Sequence, residues 1–181
     1  MKKFGILFLV LVLAACGGGD KPTVSKDTDD VPAKTEAKKL KLTDLICPQT
    51  AILEQAQKVS DYGGEAPDPA QLVAEARMTA VKGDCAYRKD GIDIAFTLHL
   101  QAARGKRLGG SQVELPLFIA VVDPAEKILN KQTLTAQFKF SGSEKITDTD
   151  DLLHVFIPLS EAALQSGPDY RVLVGFQSPN N

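Results

Sequence analysis

From Ile92 to Leu100 apolar and polar positions alternate strictly: Ile92, Ile94, Phe96, Leu98 and Leu100 against Asp93, Ala95, Thr97 and His99. Period two over nine residues predicts a half-buried β-strand. Weaker alternation runs from Gln71 to Val81, with Leu72, Ala74, Ala76, Met78 and Ala80 on one face. Lys89-Asp90-Gly91 supplies a turn, since Asp-Gly tolerates the positive φ of a tight hairpin. The continuous apolar run Leu115–Val122 suits a strand covered on both faces, with Pro116 pushing its start toward an edge. Asp123-Pro124-Ala125-Glu126 places proline at the second turn position. Leu134, Ala136, Phe138 and Phe140 then alternate, completing a second hairpin. Leu153, Val155, Ile157 and Leu159 make another strand, and Tyr170, Val172, Val174 and Phe176 the last. Ser160–Leu164 has a capping residue and good helix formers for about one turn.

Many short strands punctuated by turn signals, with no long amphipathic helix after Tyr62, predict a mainly β chain folded as an antiparallel β-sandwich. Cys47–Tyr62 is ambiguous: Ile52, Ala56 and Val59 keep helical spacing, while the all-β context favours a first strand, which is the expectation here. Tyr170, following Gly167-Pro168-Asp169, resembles the tyrosine corner of immunoglobulin-like and fibronectin type III domains; a core-filling tyrosine reads equally well.

The first residues follow different rules. Met1-Lys2-Lys3 precedes an apolar run from Phe4 to Ala15, too short for a membrane span of roughly 20 residues but suited to a secretory leader. The run ends Leu13-Ala14-Ala15-Cys16, which resembles the bacterial lipoprotein box. The resemblance implies cleavage after Ala15 and acylation of Cys16, with Gly17 favouring the outer membrane. Several acyl chains, each buried methylene contributing about 0.8 kcal/mol, give a lasting anchor. From Gly17 to Lys39 the chain is Gly-, Lys-, Asp-, Thr- and Pro-rich and cannot offset the entropy of ordering. The expected organisation is a signal peptide over 1–15, a lipidated flexible tether over 16–40 with an average reach of about 25–30 Å, and the sandwich over 41–181.

Charge narrows the functional classes. The 181 residues carry 21 Lys and Arg against 23 Asp and Glu. Removal of the leader, with its two lysines, leaves 19 against 23, a net charge of −4. Such a surface disfavours nucleic acid, whose binding depends on clustered cations.

Cys47 and Cys85 are the cysteines left once Cys16 is lipidated. In an exported domain they are expected to pair as a disulfide. A thiolate metal site with His99 or His154 lacks the close ligand spacing such sites use. Asp148, Asp150 and Asp151 form a carboxylate cluster without the glycine and ligand spacing of a calcium loop, and a solvated loop is expected. Arg104, Lys106 and Arg107 offer three cations to an anionic lipid or, more simply, to water. Nucleophile-elbow, zinc-helix and phosphate-loop motifs do not occur in the sequence. Asp84, Asp93, His99 and His154 are the only plausible acid-base groups, and no spacing joins them. No cofactor and no catalysis are expected.

Three blocks, Ala76–Tyr87, Phe118–Pro124 and Asp169–Gln177, together resemble a family of proteobacterial envelope lipoproteins with an immunoglobulin- or fibronectin-like sandwich. The resemblance implies a periplasmic address and brings no activity. The expected function is a lipid-anchored, non-catalytic binding or accessory module with an envelope protein partner; the alternative is a carrier of a small apolar or lipid ligand.

Overall fold

The computed structural model describes residues 41–179. The leader, Cys16 and the tether lie outside the described residues. Eight strands form two four-stranded sheets: β1 (Gln49–Ile52), β8 (Arg171–Phe176), β5 (Gln112–Val122) and β6 (Ile128–Lys139) in one, and β2 (Lys58–Asp61), β3 (Ala74–Arg88), β4 (Gly91–Arg104) and β7 (Ile146–Pro158) in the other. The two-sheet sandwich is the architecture expected; the strand order, β1-β8-β5-β6 over β2-β3-β4-β7, is this chain's own. One pairing is not antiparallel. β1 runs parallel to β8, because the chain enters one sheet at its edge and crosses to the other. Cys47–Tyr62 is therefore extended as expected, but as two four-residue strands in different sheets, joined by the 3-10 turn Glu54–Ala56.

The β3–β4 hairpin is the longest among the described residues, with Arg88 paired to Gly91 across Lys89-Asp90. Gly91, not Asp90, takes the positive φ of +155°, and a Cβ there would meet the Ile157 carbonyl at 2.2 Å. Only glycine fits that approach. Around Thr79 the β3–β4 register shifts, so Ala74, Ala76 and Met78 are buried while Ala80 and Val81 are both half-buried. This bulge is why the alternation of β3 reads weakly in sequence, and Leu72 lies before the strand.

β5 contradicts the edge position suggested by Pro116: it lies between β8 and β6. The Pro116 carbonyl accepts from the Gln177 amide at 2.9 Å, just past the end of β8. The missing proline N–H points to that same side, so this pair keeps only the Gln177-to-Pro116 bond, at the point where β8 ends at Phe176. Its apolar run is covered on both faces only over its last third, where Ala120 and Val122 are buried as well as Ile119 and Val121. The β5–β6 turn follows expectation, with Pro124 second and the Asp123 carboxylate accepting from the Ala125 and Lys127 amides. After β7, the 3-10 helix Glu161–Asp169 is longer than the single turn expected, and the Ser160 side chain makes no capping bond.

Between the sheets Met78, Phe96, Leu98, Leu100, Leu115, Leu117, Phe138, Val172 and Val174 are at most 1% exposed. No helix among the described residues is long and apolar enough to cross a membrane.

Candidate functional site: an open strand edge and an end groove

Cys47 and Cys85 are joined by a disulfide, with Cα atoms 5.6 Å apart. Cys47 leads into β1 of one sheet and Cys85 sits on β3 of the other, so the bridge ties the two layers at their short-stranded side. The Asp84 carboxylate lies within 4.8 Å of both sulfurs. Bonded to each other, those sulfurs offer no thiolate to a metal ion.

The acidic cluster is not a loop. Asp148, Asp150 and Asp151 lie within β7, drawn into the strand by their partners on β4. Asp148 accepts from Gln101 Nε2 at 2.9 Å, and Gln101 Oε1 accepts from Arg77 Nη2 at 2.6 Å, a polar row across three strands. His99 Nδ1 is 2.7 Å from Asp150 Oδ1 in the adjacent row. Asp151 turns to the opposite face, with the parity of buried Val155 and Ile157. The three carboxylates thus do not converge on one cation. Burial, and the nearby Asp150 charge, push the Asp151 carboxyl above its ordinary value.

A raised carboxyl pKa means the folded state disfavours the charged form. Its contribution is most favourable below the ordinary aspartate range and is lost as pH rises through the raised value. Asp151→Asn is therefore expected to stabilise the domain at pH 7 by at most about 1 kcal/mol, since solvent screens the group. The gain should vanish near pH 3. Denaturant midpoints of both proteins across pH check this, and equal midpoints at pH 7 contradict it.

Three of the four acid-base candidates meet where the sequence gives no hint. Asp84, Asp93 and His154 surround a depression of about 420 Å³ floored by Ala86 and Ala95. Register brings them there, Asp84 facing Ala95 and Ala95 facing His154. Asp93 is held by an ion pair with Arg88, and Asp84 accepts from the Cys85 amide at 2.8 Å. His99 lies apart, with Asp150. Of the three cations, Arg104 donates to the Gly110 carbonyl at 2.8 Å and stacks on Phe140, and Arg107 donates to Gln71. Arg104 is the last residue of β4 and not part of the loop after it.

Sequence reasoning missed two features. The first is the free edge of β6. Residues 128–133 are exposed on both faces, including Ile128 at 58% and Leu129 at 50%. Since the Pro116 carbonyl points to β8, the Thr135 opposite it turns its own N–H and C=O away from β5. Lys131, Thr133 and Gln137 share that parity, and none has a backbone partner on its outer side among the described residues. Lys139, next in the series, has its carbonyl taken by Thr147 Oγ1 at 2.8 Å. The other edges are closed by different means. β1 and β2 have four residues each. β7 carries the inward Asp151, two further aspartates and terminal Pro158, all features that discourage strand addition.

The second is a groove of about 990 Å³ at the end of the sandwich, with Lys41, Leu42 and Leu45 on one side and Glu161, Ala162, Leu164 and Gln165 on the other, and Lys89 at the β3–β4 turn. Tyr87 fastens both walls. Its hydroxyl donates to the Ile46 carbonyl at 2.7 Å, and Gly167 packs so closely that a Cβ would lie 2.5 Å from that oxygen. Burial, with Asp169 nearby, raises the Tyr87 pKa. The tyrosine tied to the backbone by its hydroxyl is thus Tyr87; Tyr170 packs against the core.

Comparison with protein-family models, curated proteins and solved structures finds no match to this chain.

Proposed function

We propose that the chain is a lipid-anchored, non-catalytic binding module of the bacterial cell envelope, tethered through acylated Cys16 to the outer membrane on its periplasmic side and acting by protein–protein contact. The leader and the Leu13-Ala14-Ala15-Cys16 box support the anchor. The observation that carries the contact is β6: a twelve-residue edge strand whose outward backbone groups from Lys131 to Gln137 have no backbone partner among the described residues, where the remaining sheet edges are short or charged. A partner strand added there gains ladder hydrogen bonds, and alternate side-chain positions give it register.

Thr135→Pro tests this. The substitution removes only an outward N–H from an exposed edge position, which proline tolerates, so the fold should survive. The wild-type protein is expected to pull a discrete envelope protein from crosslinked cells, and Thr135→Pro to lose it at unchanged thermal midpoint. Retention of the partner by a folded Thr135→Pro variant contradicts edge pairing. A second reading, carriage of a small apolar or lipid ligand, is favoured by the end groove.

A further inference from the structure

We infer that the end groove binds the single acyl chain of an anionic amphiphile, a fatty acid, with its chain along Leu42, Leu45, Ala162 and Leu164 and its carboxylate at Lys41 and Lys89. This deepens the second reading and is independent of the β6 edge. Three observations carry it. The volume lies at the upper end of the few hundred to about 1,000 Å³ typical of small-ligand sites, and the lining is apolar with a few polar groups at the rim, the composition such sites have. The lining charge is complementary to a carboxylate: Lys41 and Lys89 against one acid, Glu161. The anchor proposed at Cys16 would also keep the domain at a bilayer, where fatty amphiphiles are concentrated.

Both walls are braced by Tyr87, which makes the groove a preformed feature and lowers the ordering cost of binding. Ala162 is exposed at its lip, so a large side chain there fills the groove without entering the core.

The test uses the full lipidated chain in nanodiscs of zwitterionic lipid doped with a diazirine-bearing palmitate, irradiated and mapped by peptide mass spectrometry. Adducts are expected on the peptides carrying Leu42–Leu45 and Ala162–Gln165. They should fall about tenfold in Ala162→Trp, equivalent to about 1.4 kcal/mol of affinity, at unchanged circular dichroism. The double variant Lys41→Glu, Lys89→Glu, which touches only rim positions, should also label less. The same diazirine on palmityl alcohol should label the wild type more weakly than the acid. Adducts spread evenly over the sheets, or undiminished in both variants, overturn the site; equal labelling by acid and alcohol overturns the anionic head.

Discussion

Replacing both Cys47 and Cys85 with serine is expected to lower the unfolding free energy by about 4 kcal/mol. The bridge closes a loop of 38 residues, and the chain-entropy model gives that figure for a loop of this length. Against the 5–15 kcal/mol typical of a whole domain the loss is large. It should also be uneven. β1 and β2, four residues each, bury little of their own: Val59 is their one buried hydrophobic side chain, and β1 joins its sheet through a single neighbour, β8. Cys47 holds β1 to β3 across the layers. Amide exchange should therefore accelerate first at Gln49–Ile52 and Lys58–Asp61, with the β3–β4 hairpin protected longest. Urea denaturation of the double variant measures the total, and hydrogen exchange its distribution. A loss under about 1 kcal/mol, or exchange accelerated equally everywhere, would contradict the stapling role.

Phe138→Ala is expected to cost about 3–5 kcal/mol. Phe138 is fully buried, opposite Val113 on β5, and faces the shared core from an edge strand. The cost combines the lost transfer free energy of the ring with a cavity that the two sheets cannot close, because each is held in register by its own ladder. Phe138→Leu should recover much of it. The neighbouring exposed Gln137 gives the control: Gln137→Ala forfeits one hydrogen bond to Glu114 and should cost no more than about 1 kcal/mol. Similar losses for Phe138→Ala and Gln137→Ala would mean that β6 does not carry core weight along its second half.

β6 shows why some of this fold was legible in the sequence and some was not. Its second half alternates because Leu134, Ala136 and Phe138 face the opposing sheet, and period two records that burial. Its first half, Ile128–Thr133, is exposed on both faces and so carries no periodic signal, although it pairs with β5 up to a register shift that leaves Leu129 without a partner. β4, covered by the core, was readable from Ile92 to Leu100, and the structure carries it on to Arg104. β3 was readable only to the bulge at Thr79, after which side chains change faces. The aspartates of β7 read as a loop because alternation of acids with threonine has no apolar face; it is the partners Gln101 and His99 that make a strand of them. Pro116 read as an edge signal because sequence does not report where the adjacent strand stops.

The candidate sites divide the same way. The disulfide follows from the cysteine count and the export that the leader leads one to expect. The grouping of Asp84, Asp93 and His154, the free edge of β6 and the end groove depend on register and on contacts between segments as distant as Lys41 and Leu164. None has a local spacing to betray it. Pairing of Tyr87 with Ile46 shows the same principle, a bond across 41 residues that shapes a surface neither residue announces.

The most direct test of edge recognition is site-specific photocrosslinking in living cells, with a benzophenone side chain placed in turn at Thr133 and Gln137 on the β6 edge and at Thr97 in the middle of the opposite sheet. One envelope protein should be captured from both β6 positions, be absent from position 97, and be lost when Thr135→Pro is added. Capture of that same protein equally from position 97, or no capture from β6 at native abundance, would contradict it.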